Sequence, residues 1–459
     1  MVAFIVPLLL TGCIKGLFEG ENTILRPEII KYKGTTGTPK PPAKEVCSEP
    51  GGAGQPDGER EKPPAPEKPC PPVEKNLLPQ ELPVQSPQQL MPISPPLPPK
   101  SPEKPQSSLA DPARHLADGP SPDFSYHDAT LTEDVAWRGE VHITGVVTVA
   151  PQSTLTVEQG TVVRFGGRRD KSVQNSLLLV HGRVVARGTR EKPVLFTSRF
   201  AQSMAGDWQG IAVVGSEKKN LLENCRIEGA ETGLDSSYST VTLKNVQFSR
   251  CGMGARLRDT VVLSTGGGAS GCIVGLYLMD SEAELRDAGV SGNRQGVVAE
   301  RSSLYLAGGT FSRNDLEALK TVESRVKIAG GSFTVNGAGL DIVSSQGSLS
   351  GAKITGNADY GVLLANSRVK VYGNEIARNG GAGLKVEDGK GVAWGNSIFA
   401  NGEYDLVNGG TEEFRAMGNW WGAADFSAIG KRIYDRQTDS GRGRVFYTPV
   451  LRTDPLALL

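Results

Sequence analysis

Charge of one sign, long apolar runs, histidine and cysteine are all scarce in this sequence, and each scarcity removes a class of protein. The 459 residues carry 50 Lys+Arg against 50 Asp+Glu, a formal net charge of zero. A nucleic-acid binder needs a basic surface to displace counterions from phosphates, so the balance argues against nucleic acid as a partner. Six Cys are too few for a disulfide-built secreted scaffold. The four His have no metal-ligand spacing, and neither a metal nor another cofactor is expected. No apolar run reaches the roughly 18 residues of a membrane-spanning helix. Proline is not scarce overall but is confined: 24 of the 30 fall between Pro39 and Pro122, and only four in the 337 residues beyond. The chain therefore has to be read in pieces.

Residues 1–12, MVAFIVPLLLTG, form an apolar run that is too short for a bilayer and suits the core of a signal peptide. Leu10-Thr11-Gly12-Cys13 resembles a bacterial lipobox, an apolar residue and two small residues before a Cys. That resemblance implies cleavage before Cys13, lipidation of Cys13, and anchoring to a membrane that the chain does not span. It also implies outer-membrane sorting in a Gram-negative envelope, since Ile14 and Lys15 follow the Cys with no Asp beside it. Residues 13–33 complete this N-terminal segment. From 34 to 126 the chain reads PKPPAKE, EKPPAPEKPCPPVEK and SPPLPPKSPEKP. Proline fixes φ and donates no backbone hydrogen bond, so helix and sheet cannot propagate there. A disordered tether with local polyproline II character is expected. Cys47 and Cys70 lie within it.

The body, 127–459, is dominated by an internal repeat. Ala230, Cys251, Cys272, Asn293, Asn314, Asn336, Asn357, Asn379 and Asn401 follow one another at steps of 21, 21, 21, 21, 22, 21, 22 and 22 residues. Three residues before each stands Ile227, Phe248, Ala269, Val290, Phe311, Phe333, Ile354, Ile376 or Ile398. Short alternating runs such as Val326-Lys327-Ile328 and Val369-Lys370-Val371 signal strands with one buried face. No unit holds a helical pattern long enough to cross over between strands. A 21–22-residue unit of about three short strands and three turns is one coil of a parallel β-helix, an all-β solenoid. Coils stacked about 4.8 Å apart turn the Ile/Phe/Val column into an internal ladder. The column Asn293, Asn314, Asn336, Asn357, Asn379 and Asn401 is expected to form a hydrogen-bonded turn ladder, with Asn taking the left-handed backbone conformation. Gly254, Gly275, Gly296, Gly339, Gly361 and Gly383 are expected to permit the bend into the next strand.

Ahead of these coils stand EQGTVVRF, GRVVARGT, PVLFTS and GDWQGI, and behind them GNWWGAADFSAIGKRIYD. Together these resemble the entry coils and closing segment of bacterial right-handed parallel β-helix proteins of the pectate-lyase-like superfamily, with carbohydrate-binding and sugar-hydrolase type repeats. The resemblance spans roughly 131–452 and implies the fold. Activity does not follow from it, because the superfamily holds lyases, hydrolases, epimerases and non-catalytic surface proteins.

The outward column beside the Asn turn reads Asp235, Arg256, Tyr277, Val298, Lys320, Asp341, Leu363, Lys385 and Val407. Asp235–Arg256 and Lys320–Asp341 suit surface ion pairs between coils. Sugar hydrolysis needs paired carboxylates, and no column of stacked acids is present. The paired-Asp and Gly-His-Gly motifs of polygalacturonase-like enzymes and the Asp-Pro-His motif of alginate epimerases are also missing, so no catalytic residue is assigned. Trp208 is expected to pack inside, and Trp420 and Trp421 to plug the C-terminal end within a cap over 414–459, with sugar contact as their alternative role. Cys251 and Cys272 share a column on neighbouring coils, within reach of a disulfide or of lying side by side as thiols. The expectation is a lipid-anchored envelope protein whose non-catalytic β-helix, in the periplasm or at the cell surface, binds a polysaccharide or an envelope protein. A polysaccharide lyase or hydrolase is the alternative.

Overall fold

The computed structural model describes residues 122–457, apart from 168 and 170–174. Cys13, Cys47, Cys70 and the Pro-rich stretch as far as 121 lie outside the described residues. The first strand, Phe124–Leu131, starts three residues ahead of the boundary expected at 127.

Everything that follows is strand, turn and one five-residue helix, Phe426–Gly430. The strands wind into about 13 turns. They form a 25-stranded and a 14-stranded sheet. Every strand pairing among the described residues is parallel, between one coil and the next. One coil contains three strands. In the coil that starts at Gln247 these are Gln247–Ser249, Met253–Arg258 and Val261–Thr265. They define three columns, called here the short, middle and third faces. The registers run as the repeat predicts. Ile227 sits opposite Phe248, Phe311 opposite Phe333, and Leu319 opposite Leu340. The side chains of these columns are fully buried, and the Phe311 and Phe333 rings stack 4.8 Å apart. The early coils have the same architecture. Trp208 is buried there, stacked on Phe165 at 3.8 Å, and its indole N–H donates to the Glu228 carbonyl.

The Asn column forms the expected ladder at the corner between the short and middle faces. The Oδ1 of each Asn accepts both the backbone N–H and the Nδ2–H of the Asn one coil earlier. From Asn336 to Asn357 both distances are 3.0 Å. Each Nδ2 also donates to a carbonyl of the buried Ile/Phe/Val column, as Asn357 does to Phe333 O at 3.1 Å. One part of the expectation is corrected. None of these Asn residues is left-handed; the residue before each one is. Arg313 (φ 54°), Val335 (φ 59°), Arg378 (φ 56°) and Ala400 (φ 54°) hold that conformation, and glycine holds it at 292 and 356. An Asn with its amide committed to three hydrogen bonds needs ordinary backbone; the reversal is taken by its exposed neighbour. The glycine reading is corrected as well. Gly254 and Gly339 are not left-handed, but a Cβ at either would meet the carbonyl oxygen of the next coil at 2.3 and 2.2 Å. They permit close approach of neighbouring coils rather than a bend.

The ladder needs an acceptor at its last rung. Asn401 donates its N–H and Nδ2–H to Asp405 Oδ1 at 3.1 and 2.9 Å. That buried carboxylate is met by Arg432 Nε at 3.2 Å, and the same guanidinium also donates to Glu403 O and Asn401 O. The closing segment does more than cap: Ile433–Tyr434 and Val445–Phe446 add a further strand each to the middle and third columns. Trp421 is buried in the core at that end.

A second ladder, which the sequence reading does not contain, fills the corner between the middle and third faces. Ser281, Ser302, Ser324, Ser345 and Ser367 each accept a backbone N–H from the coil before at 3.0–3.1 Å. Each hydroxyl also donates to the carbonyl two residues back. A third, shorter ladder, Asn374–Asn396–Asn419, closes the remaining corner near the C-terminal end.

Replacing Asn357 by Ala leaves two buried donors of Asn336 without an acceptor and removes the donor to Phe333 O. Each orphaned buried group costs about 1–3 kcal/mol, so Asn357→Ala should lose roughly 3 kcal/mol or more of unfolding free energy. Urea denaturation checks this. A loss under about 0.5 kcal/mol would mean that the rungs are replaceable by water.

Candidate functional site

The middle face brings together the one carboxylate that departs most from surface behaviour. Asp341 lies on Ala338–Val343 at an outward register position, opposite Lys320 on one side and Leu363 on the other. Despite facing out it is only 5% exposed. Lys320 Nζ reaches Asp341 at 3.3 Å and Glu317 at 3.6 Å. Gln295 Nε2 donates to Glu317 at 3.2 Å. The other oxygen of Asp341 is buried without a hydrogen bond. Burial pushes the Asp341 carboxyl above its ordinary value, an effect that Lys320 offsets only in part. Burial works against the Lys320 charge, but Asp341 and Glu317 hold the ammonium above its usual range. The nearby Tyr360 phenol is pushed up by burial and by these same acids. The arrangement is a carboxyl–ammonium pair with a neutral phenol at its edge. Such a pair can store a proton, but the oxygen with spare capacity is turned inward and buried. Towards the N-terminal end of the same face, Arg256 holds Asp235 with a two-pronged contact at 3.1 and 2.5 Å, and Arg258 approaches it at 3.5 Å. Both ion pairs read from the sequence are therefore in place. No group of three or more His, Cys, Asp or Glu able to hold a metal occurs among the described residues.

The third face carries a different chemistry. Tyr372 and Trp394 stand in register at the last outward position of Arg368–Tyr372 and Val392–Trp394. Their rings stack at 4.9 Å, with 10° between the planes. They remain 36% and 41% exposed, an apolar ledge on an otherwise polar surface. Trp420 and Trp421, the tryptophans singled out by the sequence, are placed differently. Trp421 is 4% exposed and has no face to offer a sugar. Trp420 is half-buried, edge-on to Phe399 at 5.0 Å. Cys251 and Cys272 are both buried free thiols, as is Cys225. They donate to carbonyls of their own corner, Cys251 to Ser249 O at 3.4 Å and Cys272 to Ser270 O at 3.6 Å. Burial pushes the Cys225 thiol up to about 12, which keeps it protonated and inert.

The comparisons with known proteins agree with this geometry. Residues 129–241 match the family described as a pectate-lyase like beta helix domain, and residues 274–419 match the right handed beta helix region. The body of the chain is a right-handed parallel β-helix of the pectate-lyase-like kind. Among solved structures it is similar to the periplasmic alginate epimerase AlgG, at 13% identity and a TM-score of 0.32, over 60% of this chain and 74% of that one. It is also similar to the A-module of the mannuronan C-5 epimerase AlgE6 of Azotobacter vinelandii, at 14% identity and a TM-score of 0.30, over 69% of this chain and 91% of that one. At these values the likeness concerns the fold alone. No curated protein matches the chain.

The raised Asp341 has a sign that can be checked. Its folded carboxyl keeps a proton to higher pH than the ordinary value of 3.8. Between the two values the folded state binds more protons than the unfolded one, so this group's contribution to stability falls as pH rises. Asp341→Asn removes that fall. Urea midpoints of the variant should decline less than those of the parent between about pH 4 and about pH 7. Parallel curves would show that Asp341 ionises like a surface acid.

Proposed function

We propose that this protein is a lipid-anchored envelope protein that displays a non-catalytic β-helix and binds a polysaccharide along the third face. The Tyr372–Trp394 ledge is the observation that carries this reading. Exposed aromatic rings stacked from one coil to the next give a sugar ring a place to lay its C–H face while its hydroxyls stay in water. An aromatic pair left open in this way marks a contact surface rather than a core. The absence of chemistry on the middle face supports binding without turnover: its one unusual acid, Asp341, is covered and paired with Lys320. An envelope protein docking on the same ledge is the alternative partner.

The anchor rests on Leu10-Thr11-Gly12-Cys13 and on the Pro-rich stretch that separates it from the solenoid. With lipid on Cys13, the body would stand away from the outer membrane, in the periplasm or at the cell surface. Cys13→Ala should release the protein from the membrane fraction and abolish fatty-acid labelling; continued labelling rules out Cys13 as the acceptor.

Polymer binding is tested by affinity electrophoresis on a panel of acidic and neutral polysaccharides. Trp394→Ala should weaken retention about tenfold, which is about 1.4 kcal/mol, with an unchanged melting temperature. Equal retention of variant and parent would remove the ledge from the reading. Depolymerisation of the retained glycan, lost in Asp341→Asn, would replace binding with a lyase or hydrolase activity.

A further inference from the structure

The third face is basic, although the chain as a whole is neutral. From Ser303 onward its strands are Ser303–Ala307, Arg325–Ala329, Gln346–Ser350, Arg368–Tyr372, Val392–Trp394 and Phe414–Arg415. None contains Asp or Glu. Their outward positions carry Arg325, Lys327, Arg368, Lys370 and Arg415. The registers place these cations in rows. Arg325, Gln346 and Arg368 stand above one another, and so do Lys327, Ser348 and Lys370. Lys327 lies over the Tyr305 ring at 5.4 Å. Arg325, Arg368, Lys370 and Arg415 have no ion-pair partner among the described residues.

This contrasts with the middle face, where Arg256, Lys320 and Lys385 all meet a carboxylate. Unpaired, exposed cations side by side are a cost to the isolated fold and a source of attraction for an anion. Arg325 and Arg368 border a shallow groove of about 720 Å³ that runs across successive coils beside the Ser ladder. Its N-terminal end is self-neutralised, since Arg301 is clamped on Asp280 by two contacts of 2.8 Å. Glu323, exposed at the corner before Arg325, is the acid nearest in sequence to the basic rows.

We infer that the polymer bound on this face is an anionic polysaccharide, with carboxylate or sulfate on its sugars, lying along the solenoid axis. This rests on the polymer-binding reading above and adds the sign and direction of the ligand. The argument is one of spacing. Coils repeat at about 4.8 Å, so the cations in each row are about 9.6 Å apart, with a neutral amide or hydroxyl between them. One coil step is close to the advance of one pyranose in an extended chain. A chain whose acid groups point alternately to opposite sides therefore presents an anion to the protein every second coil, where Arg325 and Arg368, or Lys327 and Lys370, stand. The intervening Gln346 and Ser348 meet hydroxyls. At the C-terminal end of the same face the Tyr372–Trp394 ledge receives a sugar ring. Duplex DNA carries a charge about every 1.7 Å of its axis, far denser than these rows can match.

The test uses the full chain and three variants, Arg325→Gln/Arg368→Gln, Lys385→Gln and Trp394→Ala, all at exposed or half-exposed positions. Affinity is measured for polygalacturonate, a sulfated glycan, a neutral β-glucan and duplex DNA at low and moderate salt. At least one of the two anionic glycans should bind, and binding should weaken as salt rises. The Arg325→Gln/Arg368→Gln variant should bind it about tenfold or more weakly with an unchanged melting temperature, while Lys385→Gln on the middle face should bind as the parent does. A neutral β-glucan bound as tightly, with no salt dependence and no effect of the arginine variant, overturns the inference and leaves polymer binding intact. Duplex DNA bound more tightly than either anionic glycan, with the same arginine dependence, also overturns it. Failure of every glycan overturns both readings.

Discussion

The structure depends on a hydrogen bond that points one way along the solenoid. At each Asn corner a backbone N–H and a side-chain N–H of one coil are accepted by a single oxygen of the next. The corner peptide is buried, so its donor has no access to water and must find a partner in the following coil. The same Asn returns a bond to the carbonyl of the buried apolar column. Each rung thus fixes the stacking register and the position of the core residue at once, which is why core and corner keep a common step. Stability is passed from neighbour to neighbour, as in other solenoids. Because the bond has a direction, the last coil is left needing an acceptor that cannot itself demand another rung. A carboxylate meets that requirement. Asp405 accepts from Asn401, and Arg432 neutralises it from the closing segment. The closing segment is therefore bound to the ladder electrostatically as well as through its additional strands.

Period made most of this legible. Nine columnar positions at a near-constant step give the architecture, the inward ladders and the outward register from the sequence alone, because a parallel stack turns sequence periodicity directly into spatial contact. The Ser ladder obeys the same steps but is hidden, since serine is common and the residues around it vary. The left-handed positions before it are Asp280, Arg301, Glu323, Ser344 and Asn366, which share no side-chain chemistry. What they share is exposure and a backbone reversal paid for by the corner bonds. The corner conformation was misplaced by one residue for a similar reason: Asn is the residue type most associated with left-handed backbone, but here its amide is used and its neighbour turns. Trp394 was visible as a tryptophan, yet only the register with Tyr372 makes it half of an exposed stack.

Asp341 illustrates what pattern cannot reach. Its position on the outward column and its pairing with Lys320 follow from a count of residues. Its burial does not, because that depends on how Lys320, Tyr360 and the neighbouring coil lean over it. An outward register position in a solenoid is not a statement of exposure. The raised carboxyl is a consequence of that covering, and the ammonium beside it limits how far the proton affinity rises. A catalytic acid or base needs its reactive oxygen in reach of a substrate; here the oxygen without a partner is the enclosed one. The geometry thus separates an altered proton affinity from access, and only the first is present.

Net charge and face charge are independent in this architecture, and that independence carries the functional argument furthest. Inward positions are committed to packing and corners to hydrogen bonds, so the outward positions of each face can diverge without disturbing the fold. On the middle face they have become alternating pairs that cancel. On the third face they have become rows of one sign, separated by neutral residues and ending in an aromatic ledge. A sum over 459 residues averages these to zero and so excludes a protein that binds polyanions with its whole surface. It does not exclude one that does so along a single face. The coil step supplies the rest: a stack that repeats at a fixed distance displays any unpaired side chain as a periodic array, and a periodic array is best matched by a ligand with a period of its own.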